Sequence, residues 1–185
     1  TDQDGEIVFC TSHHFNSGIM EVVNEGLDMY YYSLRELPAD LEEAGIRTVR
    51  AFGLKERFFH IEFFRTPEGL VALELNMRPP GGLTMDMFNY ANDISLYQQW
   101  ANVVVNNTFT AEYTRPYHCA YVGRKWHRNH CLSHDEILAT YPELLVHHEP
   151  IDVMLAPAIG EYGYLLRSPD LEVLQPAIDQ LVAVR

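Results

Sequence analysis

The chain has 185 residues, a net charge of −13 and 47% hydrophobic residues, enough for one sizeable core or for one domain with a small appendage. The acidic balance disfavours a general nucleic-acid or anionic-membrane binder, and no apolar run approaches the roughly 20 residues that cross a bilayer. Cys10, Cys119 and Cys131 are an odd set without the spacing of a disulfide framework, which fits a reducing cytoplasm.

In chain order, Asp2-Gln3-Asp4-Gly5 reads as a turn feeding a strand over Glu6–Thr11. A start of this kind is expected of a piece of a longer chain, and equally of a processed N-terminus. His13 and His14 fall in a predicted loop. Pro38 to Phe52 reads as a helix, with Leu41, Ala44, Ile46, Val49 and Phe52 on its apolar side and Gly53 as its stop.

Two strands follow. Arg57–Thr66 (RFFHIEFFRT) is rich in aromatic and β-branched residues, and Leu70–Asn76 (LVALELN) is the second, with Pro67-Glu68-Gly69 as the turn. Alternation puts Phe58, His60, Glu62 and Phe64 on one face of the first strand and Phe59, Ile61 and Phe63 on the other. In the second strand Leu70, Ala72, Glu74 and Asn76 oppose Val71, Leu73 and Leu75. The apolar faces are expected to meet a core. Pairing centred on Glu68 then sets Glu62 across from Glu74 and His60 across from Asn76. Opposed like charges destabilise a bare sheet, and a bound cation reverses that penalty. The alternative is a solvated hairpin whose acids splay apart. Arg78 and the Pro79-Pro80-Gly81-Gly82 turn come next, an arginine well placed for a phosphate. Cation plus phosphate suggests Mg-ATP chemistry.

Thr84–Ala91 and Ser95–Val105 are predicted helices, with Asp93 expected as the N-cap of the second. The chain is expected to divide near Thr110–Pro116, giving units over 1–112 and 113–185. In the second unit Tyr117–Val122, Leu144–His147, Val153–Ala156 and Tyr162–Arg167 are predicted strands. Ser133-His134-Asp135-Glu136 is a capping box opening a short helix. A final helix begins at Ser168-Pro169, with Leu171, Leu174, Ile178 and Leu181 as its buried stripe. His118, Cys119, His127, His130, Cys131 and His134 offer partial zinc-ligand spacing, although no standard motif fits and ordinary polar roles compete. Arg124, Lys125, His127 and Arg128 are the one basic cluster, facing an anion, another lobe or solvent.

The pattern E-F … E-x-N-x-R-P-x-G-G over Phe59–Gly82, followed by a helix and N-D-I, resembles the second nucleotide-binding lobe of ATP-grasp enzymes such as biotin carboxylase, carbamoyl phosphate synthetase and amino-acid ligases. The resemblance covers roughly the first 105 residues; the strand and helix after Gly160 are similar to the C-terminal appendage of such ligases. It implies an α/β (α+β) fold, with an antiparallel sheet and helices in the lobe and a small C-terminal subdomain. It further implies Glu62, Glu74 and Asn76 on Mg2+ (or Mn2+), and Arg78 on phosphate or an acyl phosphate. Gly81 and Gly82 would let the backbone approach the phosphate or carboxylate. The implied activity is ATP-dependent carboxylate ligation, with an amine or other nucleophile as acceptor. The family's glycine-rich loop and adenine-contacting linker lie in preceding lobes, the expected partners within the same polypeptide. The 185 residues alone are thus expected to be inactive. No nucleic acid or membrane partner is expected, and a homodimer is compatible. A non-catalytic interaction module is the competing class.

Overall fold

The computed structural model describes residues 1–185. Five strands form one antiparallel sheet in the order β1-β2-β5-β7-β6: β1 (His13–Phe15), β2 (Met29–Ser33), β5 (His118–Arg124), β6 (Leu145–Pro150) and β7 (Tyr162–Ser168). The hairpin of β3 (His60–Thr66) and β4 (Gly69–Asn76) is a separate two-stranded sheet. Because β2 pairs with β5, the expected division between residues 112 and 113 falls inside one hydrogen-bonded sheet.

Helices cover both faces of the five-stranded sheet. On one face α1 (Ile19–Glu25) and α3 (Thr84–Asn92) bring Val22, Met87 and Ala91 against Met29, Tyr31, Tyr121 and Leu165. On the other, α5 (His134–Thr140) and α7 (Leu171–Val182) bring Ile137, Leu174, Ile178 and Leu181 against Ala120, Val122, Tyr164 and Leu166. Alternation along β5 and β7 feeds both cores, so these strands are buried on two sides. A smaller cluster joins Met85 and Phe88 of α3 to Leu96 of α4 (Leu96–Asn106), with Phe9, Phe58 and Phe109 at its edge.

Several elements match expectation. α2 runs over Ala39–Phe52 and ends at Gly53 in the left-handed conformation that glycine adopts freely. The capping box at Ser133 makes both of its hydrogen bonds. Others differ. Residues 6–11 form no strand, whereas His13 and His14 do. Asp93 is the left-handed C-cap of α3, and Ser95 caps α4. Val153 to Leu155 form an exposed turn leading into α6 (Ala156–Ile159), because Pro157 sits in a first helical turn and not in a strand. Asp170 caps α7, while the Ser168 hydroxyl accepts from the Asp170 amide just before it. No helix is long and apolar enough to cross a membrane.

Candidate functional site

The hairpin register decides the site. Next to the turn the pairing is Thr66 with Gly69, Phe64 with Val71 and Phe63 with Ala72, around the two-residue loop Pro67-Glu68. Continued unchanged, that register would put Glu62 opposite Leu73 and send Glu74 to the other face. The register shifts between Glu62 and Phe63, leaving Leu73 as the extra residue of a bulge. Beyond it Glu62 pairs with Glu74, Ile61 with Leu75 and His60 with Asn76. The expected acid pair is therefore present, and the bulge produces it. The same bulge moves Val71 onto the acid side, opposite Phe64.

The apolar residues of the hairpin do not enter a core. Phe64, Val71 and Leu73 are each about half exposed, and Ile61, Phe63 and Leu75 are only partly buried. The hairpin is tethered to α2 by an ion pair of Arg65 with Asp40 at 2.6 Å.

Ligand atoms of His60, Glu62 and Glu74 lie within 4.8 Å of one another. Asn76 Nδ2 donates to Glu74 Oε1 at 2.6 Å and contacts His60 Nε2 at 3.0 Å. Three ligands at about 2.2 Å from one ion lie roughly 3–4 Å apart in pairs. Closing this group on a cation thus needs side-chain shifts of up to about an ångström. Burial, and then the Glu74 charge, raise the Glu62 carboxyl above its ordinary range. Burial and the Arg78 charge lower the His60 imidazole, against the pull of Glu74 and the Arg78 backbone. Hard oxygen donors and a neutral imidazole on one face fit a divalent ion.

Arg78 leaves the hairpin exposed, with one guanidinium nitrogen on the Pro79 carbonyl at 3.1 Å. Gly82 has φ +61°, and a Cβ there would lie 2.9 Å from Ile159 Cδ1. The turn is pinned by Thr84, whose hydroxyl donates to the Gly81 carbonyl at 2.9 Å and contacts the Tyr31 hydroxyl at 2.7 Å. His13, on β1, packs its ring on Tyr31 and Phe88. It is thus one aromatic ring away from the anchor of this turn.

The other sequence candidates do not converge on a ligand. His118 donates from Nδ1 to the Ser33 carbonyl, His130 meets Asp28, His134 meets the Tyr164 hydroxyl, and Cys119 is buried. No three of these residues bring metal-ligand atoms together. The basic cluster is mostly consumed inside the fold. Lys125 Nζ donates to the Val22 carbonyl and Arg128 pairs with the buried Asp28, both near the C-terminal end of α1. His60 was not singled out as a ligand from the sequence, yet its place two residues before Glu62 on one strand face was the available signal.

No protein-family model and no curated protein matches the chain. Among solved structures, a phosphoribosylglycinamide synthetase from Anaerococcus prevotii superposes with a TM-score of 0.64 over 98% of this chain, at 9% identity. The mixed α/β fold, with antiparallel sheets and seven helices, is consistent with an ATP-grasp-type fold. The chain spans 49% of the length of that solved chain. At such low identity the likeness concerns the fold alone. Within this fold, the paired acids sit on the hairpin and the Gly81-Gly82 turn opens a helix lying on the main sheet.

Proposed function

We propose that these residues form the metal- and phosphate-binding part of an ATP-dependent carboxylate ligase working through an acyl phosphate. The pairing of Glu62 with Glu74 beside Asn76, with Arg78 two residues along, carries the reading. Glu62, Glu74 and Asn76 would hold Mg2+ or Mn2+, and the ion supplies charge neutralisation for β- and γ-phosphate oxygens. Asn76 turned about its amide offers Oδ1 in place of Nδ2. The guanidinium donors of Arg78 that do not reach Pro79 are free for the transferred phosphoryl group. In the reaction a substrate carboxylate oxygen attacks the γ-phosphorus as ADP leaves. An amine or other nucleophile then attacks the acyl carbon and expels phosphate. The glycine-rich loop and the adenine linker would come from the rest of the polypeptide.

The exposed Phe64, Val71 and Leu73 favour a second reading, an interaction module on the same fold. The two separate in a polypeptide carrying the chain together with its remaining lobes. Glu74→Gln there lowers carboxylate- and amine-dependent ADP release by about a hundredfold or more at an unchanged melting temperature. Undiminished turnover, or none in the unaltered protein with any carboxylate and amine, favours the module.

A further inference from the structure

We propose that His60 is a fourth protein ligand of this metal site beside Glu62, Glu74 and Asn76, through Nε2, and that it biases the site from Mg2+ towards Mn2+ and Co2+. The proposal rests on the metal reading of Glu62 and Glu74 given above.

The tautomer is the first argument. The Asn76 amide nitrogen carries two hydrogens. One goes to Glu74 Oε1 at 2.6 Å, since a carboxylate oxygen only accepts. With the amide in this orientation, before it turns Oδ1 to an ion, the other points to His60 Nε2 at 3.0 Å, so Nε2 accepts and bears the lone pair. The ring hydrogen then sits on Nδ1, which is buried and meets no acceptor at full hydrogen-bond geometry. This is the tautomer that an Nε2 metal ligand needs.

Position is the second argument. His60 pairs with Asn76, and Glu62 with Glu74, so the four side chains share one face at adjacent rungs of the hairpin. The ligand atoms of His60, Glu62 and Glu74 already converge. The Asn76 amide hydrogens lie between two of these acceptors, the kind of place a cation's charge would occupy.

Chemistry gives the consequence. Two carboxylates and an amide are hard donors that suit Mg2+ and Mn2+ alike. An imidazole nitrogen is softer and favours first-row transition ions, with Co2+ ahead of Mn2+. A ligand set with one imidazole should therefore order the ions Mg2+, Mn2+, Co2+ by rising affinity.

Pulsed electron paramagnetic resonance on the Mn2+-loaded chain tests this directly. The expected result is a nitrogen coupling typical of a directly bound imidazole, lost in His60→Gln while Mn2+ remains bound. The glutamine keeps an acceptor for the Asn76 amide, which protects the hairpin. In parallel titrations of Mg2+, Mn2+ and Co2+, His60→Gln lowers the preference for Co2+ over Mg2+ by about tenfold. Bound Mn2+ without nitrogen coupling, or selectivity unchanged in His60→Gln, overturns the role of His60. If Glu74→Gln also leaves Mn2+ affinity intact, or the unaltered chain binds no Mn2+, the acid site itself is wrong.

Discussion

Tyr31 donates its hydroxyl hydrogen to Thr84 Oγ1 at 2.7 Å, a direction set by Thr84 giving its own hydrogen to the Gly81 carbonyl. This relay ties the second strand of the main sheet to the turn that follows Arg78. Tyr31 is 4% exposed, so its hydroxyl has no water to fall back on. Thr84→Val is expected to destabilise the chain by about 1–3 kcal/mol, because a buried donor loses its acceptor. Tyr31→Phe is expected to lose only about 1 kcal/mol, since Thr84 keeps its bond to Gly81. Thr84→Ser should stay close to the unaltered chain. Urea unfolding measures all three, and equal losses for Thr84→Val and Tyr31→Phe would contradict the direction of the relay.

Gly82 combines a left-handed backbone with a close neighbour, Ile159 Cδ1 at 2.9 Å from a Cβ built there. Gly82→Ala is expected to destabilise by about 1–2 kcal/mol through backbone strain. Adding Ile159→Val relieves the contact and leaves the strain, so the double variant recovers only part of the loss in thermal melting. Full recovery would mean that the left-handed conformation carries no penalty.

His13 gives the fold an acid sensitivity. Burial lowers its imidazole from 6.5 to about 4, and Nε2 is buried without a partner. Above the unfolded value both states are neutral and stability is complete. As pH falls from there towards the folded value, the unfolded chain takes up a proton that the folded chain refuses, and stability drops. The full loss is up to about 3.5 kcal/mol, from roughly 2.5 pH units at about 1.4 kcal/mol each. His13→Phe is expected to flatten this part of the profile. Urea midpoints at neutral pH and near the folded value, compared between the two chains, give the difference. Parallel profiles would clear His13 of the effect.

Local signals carried far along this chain, and non-local ones did not. The α2 helix ends where Gly53 permits a left-handed cap, and the Ser133 box opens α5, because both depend on residues within one turn. Met29–Ser33 (MYYYS) shows no polar alternation, since Met29 and Tyr31 face one core while Tyr30 and Tyr32 face the other. Its pairing with β5, nearly ninety residues away, leaves no mark on its own letters. Asp93 resembles an N-cap, yet its left-handed backbone ends α3 and its carboxylate meets Arg167. The opposition of Glu62 and Glu74 was legible from alternation. The tight Pro67-Glu68 loop and the bulge at Leu73 shift the register in opposite senses, so a simpler pairing arrives at the same partners. The place of His60 beside Glu62 is legible from alternation, whereas its hydrogen bond with the Asn76 amide exists only in the folded hairpin.

The 185 residues alone are expected to bind Mg-ATP weakly and to hydrolyse none. They span about half of the solved synthetase chain, and no glycine-rich phosphate loop occurs among them beyond Gly81-Gly82. Calorimetry with Mg-ATP checks this. Micromolar or tighter binding would show that the hairpin and its turn suffice to hold the nucleotide.

Arg78 separates chemistry from scaffold. Its backbone is fixed by the two prolines that follow, while its side chain is exposed and touches only the Pro79 carbonyl. It makes no ion pair within the chain, which leaves its charge free for an external anion. On the proposed function, in a polypeptide that also carries the other lobes, Arg78→Ala is expected to lower the proposed ligase turnover by roughly a hundredfold or more. The melting temperature should hardly move, because no buried contact is lost. Arg78→Lys should restore only part of the rate, since a point charge does not reproduce the guanidinium fork. Turnover and melting temperature are measured on the same preparation. A variant that melts earlier and turns over normally would make Arg78 a structural residue and remove it from the phosphate site.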